Sequence, residues 1–100
     1  MYRGTTPTIT FTLPVDGGSI TALNLSFAQK GEILLEKGLE DCLLEGNTLQ
    51  VSLTEQETLL FDAAGPMVEM QLRVGCGAIK MASNIMRVSV EKILKDGCLE

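Results

Sequence analysis

The fold is decided by the stretch Thr8-Ile9-Thr10-Phe11-Thr12-Leu13, in which polar and apolar side chains alternate one by one. Successive side chains of a β-strand point to opposite faces of the sheet, so this alternation predicts a strand with one buried and one exposed face. The same period recurs in residues 21–29, 48–53 and 67–74. The chain is therefore expected to be all-β.

Turn signals and one helical signal divide these runs. Asp16-Gly17-Gly18, Lys30-Gly31 and Glu45-Gly46-Asn47 are typical of turns between strands. Thr54-Glu55-Gln56-Glu57 fits a capping box at the start of a helix. The sequence predicts an immunoglobulin-like antiparallel β-sandwich of about seven strands, with one short helical turn between the fifth and sixth. A small barrel stays open as an alternative, because periodicity does not distinguish a closed sheet from two stacked ones.

The last strand segment changes parity. Ile79 and Met81 occupy odd positions, whereas Met86, Val88 and Val90 occupy even ones. One extra residue would return these side chains to the same face. We therefore expect a bulge or kink near Ser83-Asn84.

Length and composition predict one folded domain. The chain has 100 residues, enough for a single core without metal or disulfide. Hydrophobic residues make up 45% and charged residues 21%, which is ordinary for a globular protein and unlike a disordered one. We expect one domain over residues 1–100, with its core at about residues 8–92 and a short flexible C-terminal tail.

Charge and hydropathy exclude two kinds of partner. The formal net charge of −5 opposes binding to the phosphate backbone, so no nucleic-acid partner is expected. No run approaches the ~20 apolar residues of a membrane span, and residues 1–7 lack the apolar stretch of a secretory signal. The expected location is the cytoplasm, unless the chain leaves as part of a larger particle.

No motif predicts catalysis or a cofactor. The chain contains no histidine, and its three cysteines, Cys42, Cys76 and Cys98, are too dispersed to form a structural zinc site. The carboxylates that could act as a base in place of histidine lie on outward parities or in turns, where ordinary pKa values are expected. We predict that the chain is not an enzyme and holds no metal or cofactor.

Three apolar residues stand on outward parities. Leu34, Leu43 and Ile85 break the rule that apolar side chains face the core. Single exposed apolar residues are common and require no function. If the three converge in one patch, a subunit or partner contact explains them better, so they form the predicted interaction surface.

Two stretches together resemble a known family. Residues 65–74, Gly65-Pro66-Met67-Val68-Glu69-Met70-Gln71-Leu72-Arg73-Val74, and residues 82–90, Ala82-Ser83-Asn84-Ile85-Met86-Arg87-Val88-Ser89-Val90, resemble the final strand pair of small phage and prophage tail-module proteins. The N-terminal domain of the phage baseplate upper protein is similar. Residues 3–13 also look like the start of short prophage proteins from Gram-positive bacteria.

The resemblance implies a role in a virion. Such a chain would be a non-enzymatic structural or adaptor protein of a tail or baseplate, located in the virion if assembled and otherwise in the cytoplasm of the host bacterium. Its partners would be other phage structural proteins or further copies of itself, so a homo-oligomer is expected. The chain lacks the long C-terminal extension of the baseplate proteins, which favours a small adaptor. The alternative is a stand-alone ligand- or carbohydrate-binding β-sandwich.

Overall fold

The structure, a computed structural model, describes residues 1–83 and 85–91. It contains eight β-strands and one single-turn α-helix, α1 (Glu55–Thr58). The strands are β1 (Thr8–Thr12), β2 (Ala22–Gln29), β3 (Glu32–Gly38), β4 (Cys42–Glu45), β5 (Thr48–Ser52), β6 (Val68–Cys76), β7 (Ile79–Ala82) and β8 (Met86–Val88). Two short 3-10 turns, Gly17–Ser19 and Leu39–Asp41, precede β2 and β4.

The strands form two antiparallel sheets. The three-stranded sheet has the order β1-β5-β4, and the five-stranded sheet has the order β3-β2-β6-β7, with β8 also paired to β6. The all-β, two-sheet prediction is confirmed, with α1 between the fifth and sixth strands as expected. The segment expected to form one last strand is divided into β7 and β8, which makes the total eight within the described residues.

One hydrophobic core lies between the sheets. Strands β5, β2 and β6 supply most of it, because their inward positions carry leucine, valine, methionine or phenylalanine at every second residue. The rings of Phe27 and Phe61 meet with centroids 6.0 Å apart. The buried apolar residues are Leu13, Ile20, Leu23, Leu25, Phe27, Leu49, Val51, Leu53, Phe61, Val68, Met70, Leu72 and Val74.

A bulge separates β7 from β8, as the parity change predicts. Arg73 pairs with Ala82, whereas Met70 pairs with Met86, so the register changes by one residue between the two strands. Ser83 lies just before the change: its backbone N–H donates to the Leu72 carbonyl, and its hydroxyl accepts from the Leu72 N–H. Asn84, the other residue named in the prediction, lies outside the described residues. Three further parts of the prediction also lie outside the described residues: Lys92, which ends the predicted core range, the expected C-terminal tail, and Cys98.

The helical turn begins with the predicted capping box. The Thr54 hydroxyl accepts from the Glu57 N–H, and the Glu57 carboxylate accepts from the Thr54 N–H. At its other end, the Arg3 guanidinium donates to the carbonyls of Leu59 and Phe61. These hydrogen bonds attach the first residues of the chain to the crossing between the sheets.

A buried glutamine holds the loop that leads into β6. Gln29 is 3% exposed, and its side-chain amide donates to the carbonyls of Asp62 and Pro66 and accepts from the Asp62 N–H. All three bonds join the end of β2 to residues 62–66. A buried polar side chain is stable only when it is satisfied in this way, so Gln29 fixes the loop in one position.

Candidate functional site

The three predicted interaction residues do not converge. Leu43 lies in β4 on the outer face of the three-stranded sheet and is 57% exposed. Ile85 lines the outer face of the five-stranded sheet and is 48% exposed. Leu34 is only partly exposed and packs against the core. A single patch formed by all three is therefore not present.

The outward orientation predicted for Leu34 is wrong, because a β-bulge interrupts β3. Phe27 pairs with Leu35, whereas Ala28 pairs with Ile33, so Leu34 is the extra residue between two matched pairs. The bulge lets Leu34 and Leu35 both pack against the core and leaves Ile33 58% exposed. Ile33, which shares a parity with Leu35 in the sequence, is the apolar residue that β3 presents to solvent.

Ile33 and Ile85 line one groove on the outer face of the five-stranded sheet, which we call the outer groove. Its volume is about 450 Å³. The centre of its floor is formed by the short side chains of Ser26 and Ala28 on β2, and longer side chains from β3 and β6 rise around them. This difference in side-chain length makes the sheet face concave. The lining residues are Asn24, Ser26, Ala28, Ile33, Glu36, Glu69, Met70, Gln71, Arg73 and Ile85.

A chain of polar side chains crosses the groove from β2 to β3. The Ser26 hydroxyl donates to Asn24 Oδ1 at 2.7 Å, and Asn24 Nδ2 donates to Glu36 Oε1 at 3.2 Å. Each of the three groups therefore has an oriented partner, and Glu36 keeps carboxylate lone pairs for further hydrogen bonds. The apolar walls thus flank a polar strip with fixed geometry.

Charge in the outer groove is divided between its two ends. Glu69 at one end pairs with Arg87 at an O–N distance of 3.2 Å. Arg73 at the other end is exposed and forms no ion pair with any residue in 1–83 or 85–91. An arginine with free planar donors is a frequent anchor at protein interfaces. The alternation of β6 places Arg73 on the outer face, but the sequence alone does not show that it lines the same groove as Ile33.

An ionisable group with a shifted pKa, the Glu57 carboxyl, lies away from this groove. Burial raises the pKa of the Glu57 carboxyl, but hydrogen bonds from Lys37 and Thr54 outweigh that effect and hold its pKa below the ordinary value. Lys37 Nζ lies 2.6 Å from Glu57 Oε2, and both side chains are largely buried. The pair joins β3 to α1, so its role in the fold is to attach the helical turn to the sheet.

The thiols are separate and unpaired in the described part of the chain. Cys42 is partly rather than fully buried, and burial raises the pKa of its thiol, assisted by the nearby Asp41 carboxylate. Cys76 ends β6 and is also partly buried. Among residues 1–83 and 85–91, no three histidine, cysteine, aspartate or glutamate side chains are grouped closely enough to hold a metal ion.

No family model, curated protein or solved structure matches this chain. Within the described residues, none of the helices has the length and apolar character needed to cross a bilayer.

Proposed function

We propose that this chain is a non-enzymatic structural or adaptor module that acts through protein–protein contacts, and that the outer groove is its contact surface. One observation carries the proposal: two large apolar side chains, Ile33 and Ile85, are about half exposed and line the same concave sheet face. Exposed apolar residues that share one surface, surrounded by polar groups, are typical of interaction sites.

The groove has the composition of a contact surface. Full burial of an isoleucine side chain is worth roughly 1.5–3 kcal/mol, so covering Ile33 and Ile85 supplies a useful part of an interface energy. The Ser26-Asn24-Glu36 chain offers oriented hydrogen-bonding groups beside them. Arg73, which has no ion-pair partner within residues 1–83 and 85–91, adds a cation for a carboxylate of the partner.

We infer an immunoglobulin-like arrangement of the strands. In that fold the strands B, E and D are neighbours in one sheet, and C, F and G, with C′ added in variable-type domains, form the other. The orders β1-β5-β4 and β3-β2-β6-β7 correspond to B-E-D and C′-C-F-G. This agreement supports the inference, and α1 lies in the connection between E and F.

We further propose that the module belongs to a phage or prophage tail or baseplate. The support is the resemblance of residues 3–13, 65–74 and 82–90 to small tail-module proteins. Its partners would be further copies of itself or neighbouring phage structural proteins, in the virion when assembled and in the host cytoplasm before assembly. Self-association is then the expected behaviour of the purified chain.

A second candidate is a ligand- or carbohydrate-binding module. The volume of the outer groove, about 450 Å³, lies within the range of small-molecule sites, and Asn24, Ser26 and Gln71 offer hydrogen-bonding groups there. The residues described for its lining include no aromatic ring for stacking on a sugar, whereas Ile33 and Ile85 suit a protein surface. Protein contact is therefore the preferred function.

Sedimentation velocity over a wide range of concentrations tests the proposal. The wild-type chain should self-associate, and the double variant Ile33→Asp/Ile85→Asp should associate at least about tenfold more weakly, since two carboxylates replace the apolar walls. Leu43→Asp is the control, because it replaces an exposed apolar residue by a carboxylate on the opposite outer face. A wild-type chain that stays monomeric, or equal weakening by Leu43→Asp, would contradict the assignment.

A further inference from the structure

The first strand leaves one edge of the three-stranded sheet open. Hydrogen bonds from the Leu13 N–H to Asn47 and from the Leu53 N–H to Pro7 fix the alternation of bonding between β1 and β5. By that alternation, Ile9 and Phe11 bond to β5, whereas the N–H and C=O groups of Thr8, Thr10 and Thr12 point away from it. Within the described residues, no strand pairs with this side of β1.

This edge lacks the features that prevent sheet edges from pairing. Strand β1 contains no charged residue and no proline, since Pro7 and Pro14 both lie outside it. Edge strand β3 of the other sheet differs: it carries Glu32, Glu36 and Lys37 and is interrupted by a bulge. Charges and bulges of this kind discourage pairing with another chain, and β1 has neither.

We propose that β1 pairs antiparallel with β1 of a second copy of this chain, about a two-fold axis at Thr10. This inference rests on the proposed function in taking the chain to be a self-assembling structural module, and it assigns a surface distinct from the outer groove. The axis places Thr10 opposite Thr10 of the second copy, and Thr8 opposite Thr12. The open N–H and C=O groups of all three threonines then hydrogen-bond across the axis.

The cross-strand side-chain pairs suit this register. On the inner face, Ile9 stands opposite Phe11 of the second copy, an aromatic and β-branched pair at the closer, non-hydrogen-bonded spacing. On the outer face, threonine meets threonine at every position. Strand β1 contains no charged residue, so no like charges meet along the two paired strands.

An apolar crevice beside β1 gives the second strand a surface to cover. It has a volume of about 270 Å³ and lies between β1 and the edge of the five-stranded sheet, lined by Phe11, Leu72, Met81 and Met86 among others. Phe11, Met81 and Met86 are only partly buried. In the immunoglobulin-like arrangement this edge belongs to strand B, where strand A pairs, so the second β1 takes the place of strand A.

Charge exchange at Thr10 tests the proposal on the full chain. Thr10→Lys and Thr10→Glu each put like charges opposite one another at the axis, so each should weaken dimerisation about tenfold or more. An equimolar mixture of the two variants should restore it, because opposite charges then meet. Gln50→Lys, on the same outer face but one strand away from the axis, is the control and should change dimerisation little.

Two results would overturn the β1 pairing: dimerisation unchanged by the Thr10 variants, or a mixture that associates no better than either variant alone. The Ile33→Asp/Ile85→Asp chain leaves β1 intact, so its own failure to weaken association would count against the outer groove and not against this edge. Thr10 variants that leave dimerisation unchanged would, in turn, count against the β1 pairing and not against the outer groove.

Amide hydrogen exchange at Thr8, Thr10 and Thr12 separates a second copy from any other occupant of this edge. The pairing predicts that protection of these three amides increases with protein concentration, in step with dimerisation. Protection that is independent of concentration would show that another segment of the same chain covers the edge, and fast exchange at every concentration would show an open edge. Either of these two results overturns the proposal.

Discussion

The two sheets differ in how strictly they keep the period of two, and the difference decides what each presents to solvent. In the three-stranded sheet every described pairing continues without a shift, and the outer face of β1 and β5 carries threonine, glutamine and serine. The five-stranded sheet contains two irregularities, at Leu34 and at Ser83. Ile33 and Ile85, close to those irregularities, are the exposed large apolar residues among those that line the outer groove.

The largest expected effect is on the free energy of unfolding, and it compares a phenylalanine at the centre of the five-stranded sheet with one at the edge of the three-stranded sheet. Phe27 is fully buried and packs on Phe61, so Phe27→Ala should lower the free energy of unfolding by about 4 kcal/mol. Phe11 has the same inward parity but is half-buried in edge strand β1. Phe11→Ala should cost clearly less, and urea unfolding of both variants measures the contrast. Equal losses would show that the two sheets bury their aromatic residues alike.

The next effect concerns the loop that Gln29 holds beside the five-stranded sheet. Gln29→Leu keeps a side chain of similar volume but removes the hydrogen bonds to the Asp62 N–H and to the carbonyls of Asp62 and Pro66. A loss of about 2–3 kcal/mol in unfolding free energy is expected. Gln71→Leu, which removes a single hydrogen bond to the Ser83 carbonyl, is the control and should cost less. A neutral Gln29→Leu would mean that residues 62–66 are not held by this side chain.

A smaller, pH-dependent effect is expected from the ion pair that attaches α1 to β3. The pKa of Glu57 is lower in the folded chain than its ordinary value, so its stabilisation is present at neutral pH and is lost as the pH falls through the folded pKa. Lys37→Met removes the partner and should cost about 1–2 kcal/mol at neutral pH. The difference in unfolding free energy between Lys37→Met and the wild-type chain should become smaller as the pH falls through the Glu57 pKa.

Thermal unfolding between neutral pH and pH values below the Glu57 pKa measures this dependence. Lys30→Met is the matched control, because the Lys30–Asp62 pair has an N–O distance of 3.1 Å but is mostly exposed, and exposed pairs contribute little. A Lys37→Met effect that stays constant with pH would assign the loss to packing of the lysine stem instead of its charge.

The smallest effect tests the bulge directly. Leu34 packs against the core, so Leu34→Ala should cost about 1 kcal/mol, whereas the exposed Ile33→Ala should change stability by less than about 0.5 kcal/mol. A β3 strand without the bulge predicts the opposite order. Denaturant unfolding of the two variants under the same conditions decides between them.

Sequence periodicity predicts most of the fold for a physical reason. A regular strand fixes side-chain direction residue by residue, so the inward positions of β5 and β6 and the outward position of Leu43 are correct. The capping box at Thr54 is also local, since its two bonding groups are three residues apart. The parity change in residues 79–90 predicts the bulge near Ser83, because one extra residue is needed to keep the apolar residues before and after it on the same face of the sheet.

The outer groove could not be predicted, because its parts come from pairings that are distant in sequence. In Ile33-Leu34-Leu35 three apolar residues stand in a row, so no parity change marks which of them is the extra residue. The register of β2 against β3 decides it, and that register turns Leu34 inward and Ile33 outward. Ile85 and Arg73 join Ile33 only because β6 lies beside β2 in the same sheet.

Methyl NMR of the isoleucine side chains tests the central claim most directly. If the outer groove is the contact surface, the Ile33 and Ile85 methyl resonances should shift as protein concentration rises and the chain associates. The methyl group of Ile20, which is buried in the core, should stay unchanged. Association detected by sedimentation while the Ile33 and Ile85 methyls remain at their monomer positions would contradict the claim.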